Sequence, residues 1–223
     1  VIGSGMSGIL AARLLASRHD VTLFEASDYP GGHANTVDVE VGAEAFSVDT
    51  GFMVFNRRTY PNFCRMLQIL DVPSRESDMT FSVSCDQTGL EYQGGTLNGL
   101  FAQRSNAFRP AFWGMVRDIL RFNRDAPIAA SGEHSCCLTL GDFLREQGYS
   151  RWMTDRYLKP MIAAIWSASP DEVDRFPLHF LVGFLRNHGL LQVCNQPRWR
   201  TVLGGSKRYV DALLSPIADC IRL

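Results

Sequence analysis

The stretch Val1-Ile2-Gly3-Ser4-Gly5-Met6-Ser7-Gly8 decides the fold. Its glycines follow the G-x-G-x-x-G spacing. In that pattern Gly3 permits a tight strand-to-helix turn, Gly5 lets the backbone approach a pyrophosphate, and Gly8 lets the helix pack close to the strand. The helix that follows offers free N–H groups and the positive end of its dipole to phosphate oxygens. Gly-rich turns arise without ligands too, so context carries the reading. Val1-Ile2 reads as the end of a buried strand, and Ile9, Leu10, Leu14 and Leu15 recur at helical spacing between Ser7 and Arg18. Val21-Thr22-Leu23-Phe24 reads as the next parallel strand, with Glu25 at its end, 17 residues beyond Gly8. A carboxylate there can accept both hydroxyls of an adenosine ribose and disfavours a 2′-phosphate. This defines a Rossmann-type dinucleotide site and leaves FAD and NAD both open.

Outward from this unit, residues 37–55 alternate in strand fashion around Val37, Val39, Val41, Phe46 and Val48. Residues 60–70 are predicted helical, and residues 79–94 a hairpin turning over Asp86 to Gly89. Beyond about residue 97 the pattern becomes helical, with helices expected over 107–124, 139–147, 151–167 and 177–188. A strand-turn-helix unit runs from Thr201 to Asp219 and breaks at Gly204-Gly205. The expected layout is a nucleotide-binding α/β segment over residues 1–56, a mainly helical insertion over 57–200, and a return to the first domain over 201–223. Both ends read as cut, so a fragment is expected.

The chain has 223 residues, is 46% hydrophobic and carries a net charge of −1. That is enough apolar material for a sizeable core, and the charge balance gives no pull toward nucleic acid. No stretch is apolar enough to span a membrane, and no signal peptide is visible. The cysteines Cys64, Cys85, Cys136, Cys137, Cys194 and Cys220 form no CxxC pair, which suits reduced thiols in the cytoplasm.

The run Glu25-Ala26-Ser27-Asp28-Tyr29-Pro30-Gly31-Gly32-His33 resembles the E-A-x(4)-G-G-[RH] element of the flavin amine oxidase superfamily, which includes protoporphyrinogen oxidase and the phytoene desaturases. In that family the paired glycines bring a second loop against the flavin diphosphate and ribityl chain. His33 stands where Arg is more frequent, and a neutral imidazole adds no fixed charge. Val48-Asp49-Thr50-Gly51-Phe52 is similar to the family's D-x-G stretch, in which backbone near the glycine lies by the isoalloxazine. Leu203-Gly204-Gly205-Ser206 with Tyr209-Val210 resembles the segment that re-enters the flavin domain. VDTGFMVFN (48–56), YPNF (60–63), AAIWS (163–167), NHGLL (187–191) and PRWRTVLGGSKRYV (197–210) together resemble a bacterial subgroup described as NAD/FAD-binding amine oxidase-like proteins.

The resemblance implies FAD as cofactor and an α/β Rossmann-type FAD-binding domain of the amine oxidase type with an inserted, mainly helical substrate domain. The binding residues it implies, with the glycine loop, are Gly3, Ser4, Gly5, Met6, Ser7, Gly8, Glu25, Ala26, Gly31, Gly32, His33, Thr50, Gly51 and Phe52. The activity implied is oxidation of a hydrophobic or amine substrate by hydride transfer to the flavin N5. The family is about double this length, and in its amine oxidases a lysine lies near that N5. Lys159 and Lys207 are the only lysines here and neither sits in a matching context, so no catalytic residue is assigned. The competing readings are an NAD-dependent dehydrogenase and a non-catalytic flavin- or nucleotide-binding protein.

Other constellations read as structural. The histidines His19, His33, His134, His179 and His188 have no metal-ligand spacing. Asp171, Glu172 and Asp174 after Ser169-Pro170 read as the capped first turn of a helix. Residues 101–124 mix Phe101, Phe108, Phe112, Trp113 and Phe122 with Arg104, Arg109, Arg117, Arg121 and Arg124. Such a helix either packs its aromatic face on a core or lies peripherally on a membrane. Trp166, Phe176, Phe180, Phe184 and Trp199 suffice to line an apolar substrate cavity, with Trp199 expected on the cavity side.

Overall fold

The computed structural model describes every residue except 133–136, 167 and 193–195. His134, Cys136, Cys194 and the final residue of AAIWS, all named above, lie outside the described residues. Contacts divide the chain into two compact units, Val1–Met79 with Pro197–Leu223, and Thr80–Gln196. Residues 57–79, placed in the insert by sequence pattern, therefore pack with the first unit.

The first unit opens with an isolated parallel bridge from Ile2 to Phe24, then helix α1 (Met6–Leu15) and strand β1 (Leu23–Phe24). Ile9 and Ala12 of α1 are fully buried against Leu23 and the neighbouring core. Hairpin strands β2 (Thr36–Val41) and β3 (Glu44–Asp49) pair antiparallel with Val37 opposite Val48 and Val39 opposite Phe46. The alternation expected over 37–55 is thus two strands with a turn at Gly42, followed by the short strand β4 (Phe55–Asn56). Helix α2 (Pro61–Ile69) starts on a proline, whose missing N–H costs nothing at a first helical position. Strand β5 (Ser74–Glu76) follows.

The second unit begins with hairpin strands β6 (Ser82–Cys85) and β7 (Leu90–Gln93), and continues through α3 (Leu97–Leu100), α4 (Pro110–Ala129) and α5 (Leu140–Glu146). Next come α6 (Arg151–Met153), a π-helical turn over Thr154–Leu158, α7 (Lys159–Trp166), α8 (Pro170–Asp174) and α9 (Leu178–Asn187). Helix α4 turns Phe112, Met115, Phe122 and Ala126 into the core at helical spacing. Its Trp113, Leu120 and Ile128 are exposed. Asp118 lies on the buried face, where it accepts the Ser150 N–H at 3.0 Å and has the Arg121 guanidinium 3.8 Å away. Arg121 in turn covers the Tyr149 ring at 4.0 Å. Ser169 caps α8 and Glu172 returns the bond in a capping box, as the sequence predicts.

The chain then returns to the first unit. Strand β8 (Trp199–Val202) lies antiparallel between β4 and β5, pairing Arg200 with Phe55 and Thr201 with Arg75. Helix α10 (Lys207–Leu214) buries Tyr209, Val210, Leu213 and Leu214. Strand β9 (Ile221–Arg222) runs parallel to β1, pairing Leu23 with Ile221. Arg13 of α1 donates to the Ala212 and Leu213 carbonyls at 2.7 and 3.1 Å, supplying a cation at the C-terminal end of α10. Among the described residues, no helix is long and apolar enough to cross a membrane.

Candidate functional site

Two short loops build the site. The glycine turn is held to β1 by Gly3 N–H donating to the Phe24 carbonyl at 2.7 Å. A Cβ on Gly8 would stand 1.9 Å from the Gly3 carbonyl oxygen, so α1 can sit this close to the turn only with glycine there. The second loop comes from Gly31-Gly32. Gly31 forms a parallel bridge with Gly5 and donates its N–H to the Ser4 carbonyl at 2.9 Å. Both residues have positive φ, 119° and 60°, and a Cβ on Gly31 would meet the Ala34 carbonyl at 2.5 Å.

These loops border an open cleft of about 710 Å³ in the first unit. Of the residues selected from sequence, Gly3, Gly5, Met6, Ser7, Gly8, Gly31, Gly32, His33 and Phe52 line it. Ser4, Glu25, Ala26, Thr50 and Gly51 do not. Ser4 is fully buried. Thr50 donates its N–H to Asn35 at 2.9 Å, and a Cβ on Gly51 would lie 2.4 Å from the His33 carbonyl. The D-x-G stretch is therefore packed directly on the second loop. Trp199 is half-buried on β8 opposite Asn56 and does not line this cleft.

Glu25 is bound tightly into the turn. One carboxylate oxygen accepts from Ser4 N–H and from the Ser4 hydroxyl, each at 2.6 Å. The other accepts from the N–H groups of Ala26 and Ser27 at 2.8 and 2.9 Å. The Ser4 hydroxyl, with the backbone N–H groups of Ser27, Ser4 and Ala26, pulls the Glu25 carboxyl down to about 2. The group is ionised at any physiological pH.

Sequence reasoning missed the apolar end of the cleft. Tyr60, Phe63 and Met66 of the α2 region line it beside Phe52. Phe52 meets the Tyr60 and Phe63 rings edge-on at 5.7 and 5.1 Å. Its φ of 50° is rare for a bulky residue and marks local strain held by this packing. YPNF was read as a helix start and subgroup signature, and nothing in its pattern tells cleft from core.

A second missed feature joins distant segments. Asp49 accepts from Thr36 Oγ at 2.6 Å, and from the Ser206 N–H and hydroxyl at 2.7 and 2.9 Å. Lys207 N–H donates to Thr36 Oγ at 2.9 Å, and its ammonium pairs with Asp38. Asp49 and the Gly204-Gly205-Ser206 turn, picked out separately in the sequence, are one clasp. Burial first, and then the Asp49 carboxylate, push the Tyr209 hydroxyl up to about 12.

The donor set fits a dinucleotide. No atom lies within 4 Å of where a Cβ would stand on Gly3 or Gly5, so the turn presents bare backbone to open space at a helix N-terminus. The fold and site thus define a dinucleotide-binding α/β protein. A family model for flavin containing amine oxidoreductases matches residues 6–166, and the chain belongs to that family, whose cofactor is FAD.

Solved structures share the fold. Cyclohexylamine oxidase from Brevibacterium oxydans aligns with a TM-score of 0.71 at 19% identity, covering 100% of this chain and 49% of that one. A putrescine oxidase redesigned in its cofactor binding gives 0.67 at 16%, covering 99% and 49%. An oxidoreductase from Methanosarcina mazei gives 0.55 at 18%, covering 99% and 50%. The chain spans about half the length of these structures.

Proposed function

We propose that the protein is an FAD-dependent oxidoreductase acting on an apolar amine or a related hydrophobic substrate, and that this chain carries its adenosine- and diphosphate-binding half. The observation that carries the reading is the open cleft between the Gly3–Gly8 turn and the Gly31-Gly32 loop. An NAD-dependent dehydrogenase gives no reason for that second loop. In this reading the backbone N–H groups at the start of α1 hold the diphosphate, Glu25 accepts from the adenosine ribose, and Gly31, Gly32 and His33 cover the chain toward the ring. Thr50, Gly51 and Phe52 stand at the ring end. Bound FAD supplies the two-electron acceptor.

Substrate preference is inferred from the apolar surfaces. Phe52, Tyr60, Phe63 and Met66 give the cleft an apolar end. In the helical unit, the Trp166 and Phe184 rings lie 4.5 Å apart, with Phe176 and Phe180 beside Trp166. We assign that unit the substrate side on this aromatic cluster. The cyclohexylamine and putrescine of the structural neighbours bracket the choice, and the apolar lining favours the former type.

A visible spectrum tests the reading. The purified protein is expected to show the near-ultraviolet and blue bands of an oxidised flavin, bleached anaerobically by an apolar amine. A colourless protein that binds NADH would overturn it.

A further inference from the structure

Besides the cleft, the first unit has a hollow of about 280 Å³ that gathers four arginines. Strands β4 and β8 are antiparallel, so the end of one meets the start of the other. Arg57 and Arg58 follow β4, Arg198 precedes β8, and Arg200 lies on β8 between Phe55 and Glu76. None of the residues that line this hollow lines the cleft. Asn56 lines it too and is fully buried. Its Oδ1 accepts the Arg58 and Thr59 N–H groups at 3.0 and 2.9 Å, which fixes the other end of the amide as the donor Nδ2. That Nδ2 is buried and has no hydrogen-bond partner among the described residues. We propose that this hollow is a phosphate-binding site, holding the phosphoryl group of a small ligand on Asn56 and the arginines.

The lining selects the ligand by charge and by donor count. Four guanidiniums stand against one carboxylate, that of Glu76, which leaves three positive charges in excess. Arg57 and Arg200 also border an adjoining hollow that holds Asp71, and counting it still leaves two. Glu76 pairs with Arg198 at 3.7 Å. Arg200 donates from Nε to the Ser74 hydroxyl at 3.0 Å and from Nη2 to the Ser74 carbonyl at 2.6 Å, so its fork is fixed before a ligand arrives. The Asn56 Nδ2 and the guanidiniums are donors only, which matches a group made of acceptors. A phosphoryl group carries a charge of about −1.5 to −2 at neutral pH and three acceptor oxygens, where a carboxylate carries a single charge. A water molecule satisfies Nδ2 by itself but gives the convergence of arginines no partner. The volume lies just under the roughly 300 Å³ at which small-molecule pockets begin, which suits a phosphoryl group and not a whole dinucleotide.

Calorimetric titration of the full protein with inorganic phosphate and with acetate, at constant ionic strength, tests this. Phosphate is expected to bind at least about tenfold more tightly than acetate. Arg58→Gln is expected to weaken phosphate about tenfold. Asn56→Asp keeps the acceptor for Arg58 and Thr59, replaces the buried donor with an acceptor, and is expected to abolish binding. Glu76→Gln removes the opposing carboxylate and is expected to tighten phosphate about threefold, a gain that misfolding cannot produce. Absence of phosphate binding in wild type would overturn the proposal, as would equal affinity for phosphate and acetate. So would an unchanged or weaker affinity in Glu76→Gln. Phosphate binding that survives Arg58→Gln undiminished would place the anion elsewhere, at the glycine turn, and overturn it too.

Discussion

The cleft loops of the first unit and the helical core of the second are built from different materials. Between Gly3 and Gly8, and at Gly31-Gly32, the architecture is backbone meeting backbone, and what matters is the absence of side chains. Around Phe112, Phe122 and Met153 the architecture is side-chain volume, with each residue fully or almost fully buried among residues distant in sequence. At Gly8 and Gly31 the first kind of structure tolerates no added atom. The second tolerates no removed one.

Three perturbations sharpen that contrast. The largest effect is expected for Phe112→Ala, which empties a fully buried site in the helical core and should cost about 3–5 kcal/mol in denaturant unfolding. A loss under about 1 kcal/mol would mean that this core collapses freely around the gap. Next comes Gly8→Ala. Helix propensity favours alanine by about 1 kcal/mol. The clash at 1.9 Å is with backbone and cannot be relieved by a rotamer change, so a net loss of about 1–3 kcal/mol is expected, together with lost FAD binding. Stabilisation by this change would show that the turn yields, and would break the contrast.

The smallest effect concerns pH. The Glu25 carboxyl titrates at about 2 in the folded chain against an ordinary 4.5. Its contribution to stability is therefore fully present above about 4.5 and is lost as the pH falls toward 2. Acid-dependent melting of Glu25→Gln should lack the part of the decline that wild type shows in this window. Parallel curves for the two proteins would remove Glu25 as the link between β1 and the glycine turn.

The contrast also explains what could be read from the sequence. Backbone-built features have local signatures: the glycine turn, Glu25 at its distance, the Ser169–Glu172 cap and the Gly204-Gly205 break were all legible. The family resemblance likewise rested on short glycine-bearing elements, and family and cofactor follow it. Features built by side chains from separate segments were not legible. The buried role of Asp118 left no local signature, because its partner Ser150 lies 32 residues away. Tyr60 and Phe63 gave no cleft signal, since aromatic residues serve a core equally well. The boundary at residue 57 failed for the same reason: α2 and β5 pack on the first unit through Leu67 and through pairing with β8, far along the chain.

The clasp at Asp49 has a consequence for how the chain comes together in time. Its partner Ser206 is 157 residues away, and β1, bridged on one side to Ile2, finds its second parallel neighbour only at Ile221–Arg222. During synthesis the glycine turn emerges well before Ser206 and β9, so the half-buried Asp49 carboxylate and the sheet beside the turn wait for segments made much later. Closing so long a loop adds little thermodynamic cost, since the entropy grows only with the logarithm of its length. It does slow the search, because non-local pairing must precede its reward. The helical unit, made of contacts within residues 80–196, can form while the first unit is still waiting. Until residues 207–222 are made, Leu23 and the other residues that pack on α10 are open to wrong partners.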